Sequence, residues 1–312
     1  MEGLIIKSTG SHYLVKDKNN NKFECKIKGK FRIKGIRSTN PVAVGDVVDF
    51  IMPENEQLGF ITHIHDRKNY IIRKSINLSK RSHIIATNVD AAFLIVTLVS
   101  PTTTTEFIDR YLVSAQAYNI PVNIVFNKID LYDNETLEKL KELKSIYEKI
   151  GYRCIETSAK KNVNINIIRE LLKDRISVIS GHSGVGKSTL INAVDKKLNI
   201  KTSEISDFHN SGKHTTTLSE MYELSSGGYI IDTPGIKGFG IIDMDKEEIY
   251  HFFPEIFKLS GNCQFYNCTH IHEPNCAVKK AVETGMISLS RYNSYLSIML
   301  EDENNKYRQT DY

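Results

Sequence analysis

A chain of 312 residues exceeds one average domain and can form two or three, each with its own core. With 25% charged and 40% hydrophobic residues, and no apolar run near the roughly 18–20 residues that span a bilayer, it does not read as a helical membrane protein. The formal charge of +4 is too small to define a partner, but its distribution is uneven.

Met1 to Lys7 lacks a basic segment followed by a long apolar core, so no secretory leader is expected and the chain is read as cytoplasmic. Residues 1–40 hold ten basic side chains against three acidic ones, and Lys26, Lys28, Lys30, Arg32 and Lys34 form the densest run, a pattern suited to a polyanion. Short apolar or alternating runs at Leu4–Ile6, Tyr13–Val15, Phe23–Ile27, Val42–Met52 and Phe60–Ile64, separated by turn-rich stretches, predict five strands without a long helix. The favoured arrangement over 1–68 is an OB-type β-barrel that binds RNA. The competing reading is an SH3-like domain whose basic face meets only water.

From 69 to 240 strands and helices alternate. Strands are predicted at Ala91–Val99, Val122–Phe126, Arg153–Glu156 and Ile176–Ile179, and helices at Glu106–Tyr118, Glu135–Ile150 and Ile165–Leu172. This alternation implies a largely parallel α/β sheet with helices on both faces. Residues 241–312 carry no predicted strand; a Cys/His segment precedes a helical pattern from Ala277 to about Leu300 and a polar tail from Glu301 that is expected to fray.

Gly181-His182-Ser183-Gly184-Val185-Gly186-Lys187-Ser188 fits the phosphate-binding pattern GxxxxGK[ST], and a strand precedes it and a helix from Thr189 follows it. Glycines let successive amides point at phosphates, and the helix N-terminus adds positive potential. Lys187 is expected to bridge the β- and γ-phosphates and Ser188 to bind Mg²⁺. The loop alone does not distinguish ATP from GTP.

Asn127-Lys128-Ile129-Asp130 follows its own strand and resembles the NKxD motif of GTPases. A carboxylate at Asp130 accepts from guanine N1–H and the N2 amine together, a donor pair that adenine lacks. Asn127 would brace neighbouring loops, and the Lys128 stem would cover the base plane. Thr157-Ser158-Ala159-Lys160, after the next strand, resembles the loop whose backbone amide meets the guanine carbonyl oxygen. Asp232-Thr233-Pro234-Gly235 resembles DxxG, with Asp232 near the metal through water and the Gly235 amide sensing the γ-phosphate. Between these motifs, Gly212 to Thr217 is a polar segment in which Thr215 or Thr216 would complete the Mg²⁺ site. Ile236 stands where Ras-like enzymes place a water-orienting glutamine, so slow intrinsic hydrolysis is expected, with His214 or a partner's group positioning the water.

The motifs run in the order NKxD, TSAK, phosphate loop, switch, DxxG. An ordinary Ras-like chain begins with the phosphate loop, so this chain is circularly permuted. Its second switch leads straight into the C-terminal region, which would couple the γ-phosphate to that domain. Five cysteines are an odd number, and three of them lie with a histidine in the pattern Cys263, Cys268, His270, Cys276, which satisfies tetrahedral Zn²⁺ and leaves no open position. His272 competes with His270 for that place. Cys25 and Cys154 read as isolated core residues.

A basic β domain, a permuted GTPase with this phosphate loop and DTPG, and a zinc cluster followed by helices together resemble the ribosome small-subunit-dependent GTPase A family, of the RsgA or YjeQ/YloQ type. The resemblance covers nearly the whole chain. It implies an OB-fold, a zinc-binding C-terminal domain, GTP and GDP as ligands, and action late in maturation of the 30S subunit and its 16S rRNA, with GTPase activity stimulated by that subunit. A chain that is monomeric when free and has no membrane partner is expected. Two other readings stand beside it: a permuted GTPase acting on the large subunit, and a nucleotide-gated RNA-binding module whose hydrolysis is incidental.

Overall fold

The computed structural model describes residues 1–27, 41–54, 56–74, 82–200, 219–232 and 245–301. The switch residues Gly212–Thr217 and Thr233–Ile236, the basic residues Lys28, Lys30, Arg32, Lys34 and Arg37, and the tail beyond Glu301 lie outside these ranges.

Five strands, β1 (Glu2–Ser8), β2 (Tyr13–Asp17), β3 (Lys22–Ile27), β4 (Val47–Ile51) and β5 (Leu58–Ile64), follow one another in the order β1-β2-β3-β5-β4, and β4 pairs back onto β1 to close a barrel. β3 and β5 run parallel and the other pairs antiparallel, which is OB-type connectivity. The β2–β3 turn forms because Asp17 accepts from the Asn19 and Asn21 amides at 2.8 Å, which lets Asn20 take a left-handed φ of 67°. The predicted strand from Val42 begins only at Val47. Its first residues form a buried turn instead, in which the Asp46 carboxylate accepts from Ala43 N at 2.9 Å and from Arg67 through two bonds of 2.6 Å. Gly45 sits there at φ 91°, and a Cβ on it would lie 2.1 Å from the Thr87 carbonyl oxygen.

A separate antiparallel pair, β6 (Tyr70–Lys74) and β7 (Ser82–Thr87), occupies a stretch in which the sequence predicts no element. The nucleotide-domain strands are β8 (Ala91–Val96), β9 (Val122–Phe126), β10 (Arg153–Glu156), β11 (Ile176–Ser180), β12 (Ser219–Glu223) and β13 (Tyr229–Asp232). Their order is β10-β9-β8-β11-β13-β12, parallel except for β12 at the edge. Every residue of β8 is buried because both faces are covered. Ala92, Leu94 and Val96 share a core with α1 (Thr105–Ala117) and α2 (Asn134–Lys149), whereas Ala91, Phe93 and Ile95 face α3 (Ile165–Leu172) and α4 (Lys187–Val194). Helices α1 and α2 start where Thr104 and Asp133 cap them, accepting from Phe107 N at 3.3 Å and Thr136 N at 2.9 Å.

β12 also pairs with β1 of the barrel, at Lys7↔Glu220 and Ser8↔Ser219, so one sheet runs through both domains. Lys7 contacts Glu220 at 3.1 Å, and the buried Lys16 contacts Glu223 at 2.6 Å and the Tyr229 hydroxyl at 3.1 Å. These two lysines, counted in the sequence as part of a basic surface, instead fasten the barrel to the nucleotide domain.

The C-terminal lobe comprises a 3₁₀ turn (Lys246–Phe252), α5 (Pro254–Ser260), the Cys/His segment, α6 (Ala277–Glu283) and α7 (Leu289–Leu300). Two helices replace the single predicted pattern because the chain turns at Gly285, φ 74°. The lobe docks on α1 through a buried charge cluster: Arg291 donates to Asp109 at 2.8 Å and to Glu255 at 2.6 Å, and its guanidinium lies 4.6 Å from the Phe253 ring centre. Tyr147 also donates to Asp109 at 2.8 Å. Removing the cation alone leaves two carboxylates facing each other out of water. Arg291→Met is therefore expected to destabilise the protein by about 3–5 kcal/mol in chemical denaturation, against less than about 1 kcal/mol for Lys141→Met in an exposed ion pair.

Candidate functional site

Asn127, Thr157 and Gly181 directly follow the carboxyl ends of β9, β10 and β11, and Asp232 ends β13; all four strands are parallel, so these positions share one edge of the sheet. Ligands of open α/β sheets bind at that edge.

The phosphate loop turns at three glycines with positive φ: Gly181 at 147°, Gly184 at 82° and Gly186 at 96°. At two of these the neighbours also exclude a side chain. A Cβ on Gly181 would lie 2.3 Å from the Ile95 carbonyl oxygen, and one on Gly186 2.5 Å from Asn127 Nδ2. Lys187 Nζ reaches back over the loop to the carbonyls of Gly181 at 2.8 Å and His182 at 2.6 Å, a position from which it can exchange carbonyls for phosphate oxygens. Ser183 is exposed, Val185 anchors the loop in the core, and Ser188 and Thr189 open α4, with Ser188 buried. His182 lies tilted against Phe107 of α1 with ring centres 3.6 Å apart. Burial, aided by the Lys187 charge, holds its imidazole below the usual histidine range and so uncharged at neutral pH.

Asn127 connects the loops. Its Nδ2 donates to Val185 O at 2.8 Å, and its Oδ1 accepts from Ala159 N at 3.1 Å and Thr157 Oγ1 at 3.3 Å. Ser158 Oγ donates to Asp130 Oδ1 and accepts from Lys161 N at 3.1 Å, which orients the carboxylate. Lys128, at a left-handed φ of 64°, donates to Ser100 O and to Gly184 O at 2.6 Å. Lys160 is exposed at the rim. All three nucleotide motifs therefore meet. His214, Thr215, Thr216 and Gly235 lie outside the described residues, and Asp232 is placed by its backbone alone. Phe107, Ser100 and Pro101 also join the site, but they stand outside any motif and carried no signal in the sequence.

A second candidate centre lies in the C-terminal lobe. The ligand atoms of Cys263, Cys268, His270 and Cys276 all fall within 4.8 Å of one another. Cys263 Sγ is 3.8 Å from Cys276 Sγ, and His270 Nδ1 is 3.6 and 3.5 Å from those sulfurs. A tetrahedron with bonds of about 2.3 Å has edges of about 3.8 Å, so this donor set fits Zn²⁺. His272 is exposed and outside the cluster. Burial pushes the Cys268 thiol up to about 12 and keeps His270 neutral; a divalent cation would reverse the first and use the second. The knuckle is held from outside by Tyr292 and Tyr295, which donate to the carbonyls of His270 at 2.7 Å and Thr269 at 2.6 Å. Glu273 accepts from Thr269 N and Oγ1 at 2.7 Å and from Ile271 N at 3.1 Å. Of the other cysteines, Cys25 is buried in the barrel and Cys154 is half-buried.

Strand order, motif order and the shared loop edge define a circularly permuted P-loop GTPase with an N-terminal barrel and a C-terminal Cys₃His lobe. The RsgA N-terminal domain profile matches residues 2–61, and the RsgA GTPase profile matches residues 64–242. The chain is 59% identical over 308 residues to the small ribosomal subunit biogenesis GTPase RsgA of Bacteroides fragilis, covering 99% of each chain. It is 55% identical over 314 residues to that of Flavobacterium psychrophilum, covering 100% of this chain and 96% of the relative. Among solved structures, YjeQ from Thermotoga maritima aligns with a TM-score of 0.79 at 34% identity over 96% of both chains. YloQ, described as a circularly permuted GTPase, aligns with a TM-score of 0.74 at 32% identity over 96% of this chain and 93% of its own. This chain belongs to the RsgA GTPase family.

Removing one thiolate is expected to empty the Cys₃His centre. Purified Cys268→Ala should carry less than about a tenth of the metal of the unaltered protein by elemental analysis, and its C-terminal lobe should melt earlier. Metal retained at full stoichiometry would contradict the assignment.

Proposed function

We propose that this protein binds guanine nucleotide at the loop edge, hydrolyses GTP to GDP and phosphate, and does so on the small ribosomal subunit during its biogenesis. The observation that carries the reading is the meeting of all three nucleotide motifs through Asn127, in a chain alike over 99% of its length to a small-subunit biogenesis GTPase. Asp130 selects guanine by accepting from N1–H and the N2 amine. The stretch Gly181–Thr189 wraps the phosphates, with Lys187 neutralising charge between the β- and γ-groups. Ser188, a switch threonine (Thr215 or Thr216) and Asp232 would hold Mg²⁺, which supplies charge neutralisation at the phosphates when bound. The Gly235 amide reports the γ-phosphate. Because Ile236 cannot orient water, His214 or a group of the ribosomal partner places the nucleophile, and basal turnover is slow.

Zn²⁺ is the metal we assign to Cys263, Cys268, His270 and Cys276, in a structural role. We divide the chain into a barrel over 1–68 that contacts 16S rRNA, a nucleotide domain over 69–240 and a metal-binding helical domain over 241–312. The free protein is proposed to be a cytoplasmic monomer; among the described residues no helix is long and apolar enough to cross a membrane. A large-subunit role is not favoured, because the matched relatives are named for the small subunit.

GTP turnover by the protein alone, with 30S subunits, with 50S subunits and with naked rRNA tests the reading. Stimulation of at least about tenfold by 30S alone is expected. Equal stimulation by 50S, or none by either subunit, would overturn the assignment of partner while leaving the GTPase in place.

A further inference from the structure

Tyr132 lies two residues beyond Asp130, just after the 3₁₀ turn Ile129–Leu131, and belongs to no nucleotide motif. The residue is 9% exposed and packs in the core shared by α1 and α2. Its hydroxyl donates to Asn127 O at 2.8 Å and accepts from Leu98 N at 2.9 Å. One phenol thus ties the residue that gathers the three loops to the chain leaving β8.

That chain is itself part of the site. Thr97 and Thr103 close it into a loop, with Thr103 N donating to Thr97 O at 2.8 Å, Thr97 N to Thr103 Oγ1 at 3.2 Å, and Thr97 Oγ1 to Pro101 O. At its tip, Ser100 O accepts from the Lys128 ammonium, which also reaches Gly184 O at 2.6 Å. Pro101 packs beside the phosphate loop, its Cδ 3.4 Å from where a Cβ on Gly184 would stand. The loop 97–103 therefore touches both the lysine of the base motif and the phosphate loop, and Tyr132 holds its root. Burial raises the phenol above its ordinary value, so the hydroxyl keeps the proton it donates.

We propose that Tyr132 is a positioning residue for guanine-nucleotide binding: without touching the nucleotide, its hydroxyl fixes Asn127 and the 97–103 loop so that Lys128 and the phosphate loop are held in register. The proposal rests on the reading of this edge as a guanine-nucleotide site. It predicts an effect on binding and not on the chemical step, because the hydroxyl bonds Asn127 of the base motif and Leu98, and neither Lys187 nor Ser188.

Tyr132→Phe keeps the ring and removes both hydrogen bonds, leaving the half-buried Leu98 N–H and the buried Asn127 carbonyl without that partner. Binding of N-methylanthraniloyl-GDP to the full chain is expected to weaken about tenfold, the KM for GTP to rise in parallel, and kcat to stay within about twofold. Tyr152→Phe serves as the control, since the Tyr152 hydroxyl is buried and has no hydrogen-bond partner among the described residues; its dissociation constant should match that of the unaltered protein. A Tyr132→Phe protein with a lowered melting temperature but an unchanged dissociation constant and KM would assign the hydroxyl to general stability and overturn the proposal. Failure of the unaltered protein to bind the probe would overturn the site reading and this proposal with it, whereas equal binding by both proteins would overturn only the role of Tyr132.

Discussion

The side-chain amide of Asn127 offers two donor hydrogens and one acceptor oxygen, and the site uses both ends. The nitrogen holds the phosphate loop at Val185, and the oxygen holds the next strand's loop at Ala159 and Thr157. None of these bonds depends on which strand comes first in the chain. A permuted chain can therefore rebuild the site, provided that the six strands return to the same lateral order. The contact also explains why Gly186 has no side chain, since a Cβ there would stand 2.5 Å from the same amide nitrogen. Buried groups joined in this way are costly to separate, so the three loops act as one rigid rim.

Permutation decides what that rim is attached to. The barrel is fastened to the edge strand β12, through sheet hydrogen bonds and through Lys7 and Lys16. The C-terminal lobe grips α1, whose first turn carries Phe107 against His182 of the phosphate loop and whose next turn carries Asp109 into the Arg291 cluster. Arg110 extends the same contact to Glu301 at 2.9 Å. The two appended domains thus hold different elements of one nucleotide domain. A ribosomal partner contacting both would act on the nucleotide site from two sides.

Much of this was legible in the sequence because the chemistry imposes short, local spacings. The phosphate loop and Asn127 to Asp130 each follow a short, mostly apolar strand, Thr157 to Lys160 follows the shorter Arg153–Glu156, and Cys263 to Cys276 lie close together in the sequence. The barrel's five strands showed through their alternation. What stayed hidden depends on partners far apart in sequence. Ser219–Glu223 has no polar–apolar alternation and is a strand because β13 and β1 flank it. Arg291 sits in a helix among Ser and Tyr residues, with nothing to mark it as buried until Asp109, 182 positions away, is seen beside it. Lys16 looked like part of a basic surface for the same reason. Tyr132 gave no signal because its hydroxyl bonds to backbone atoms, which carry no residue identity. The switch residues, where catalysis would be decided, lie outside the described ranges.

The claim that Asn127 holds the rim together is tested most directly by calorimetric GDP binding to Asn127→Ala, with circular dichroism to report the fold. The account predicts a loss of affinity of at least about a hundredfold in a protein that keeps its secondary structure, because three bonds to two loops disappear together. Affinity within about threefold of the unaltered protein would contradict it and would mean that each loop holds its shape alone.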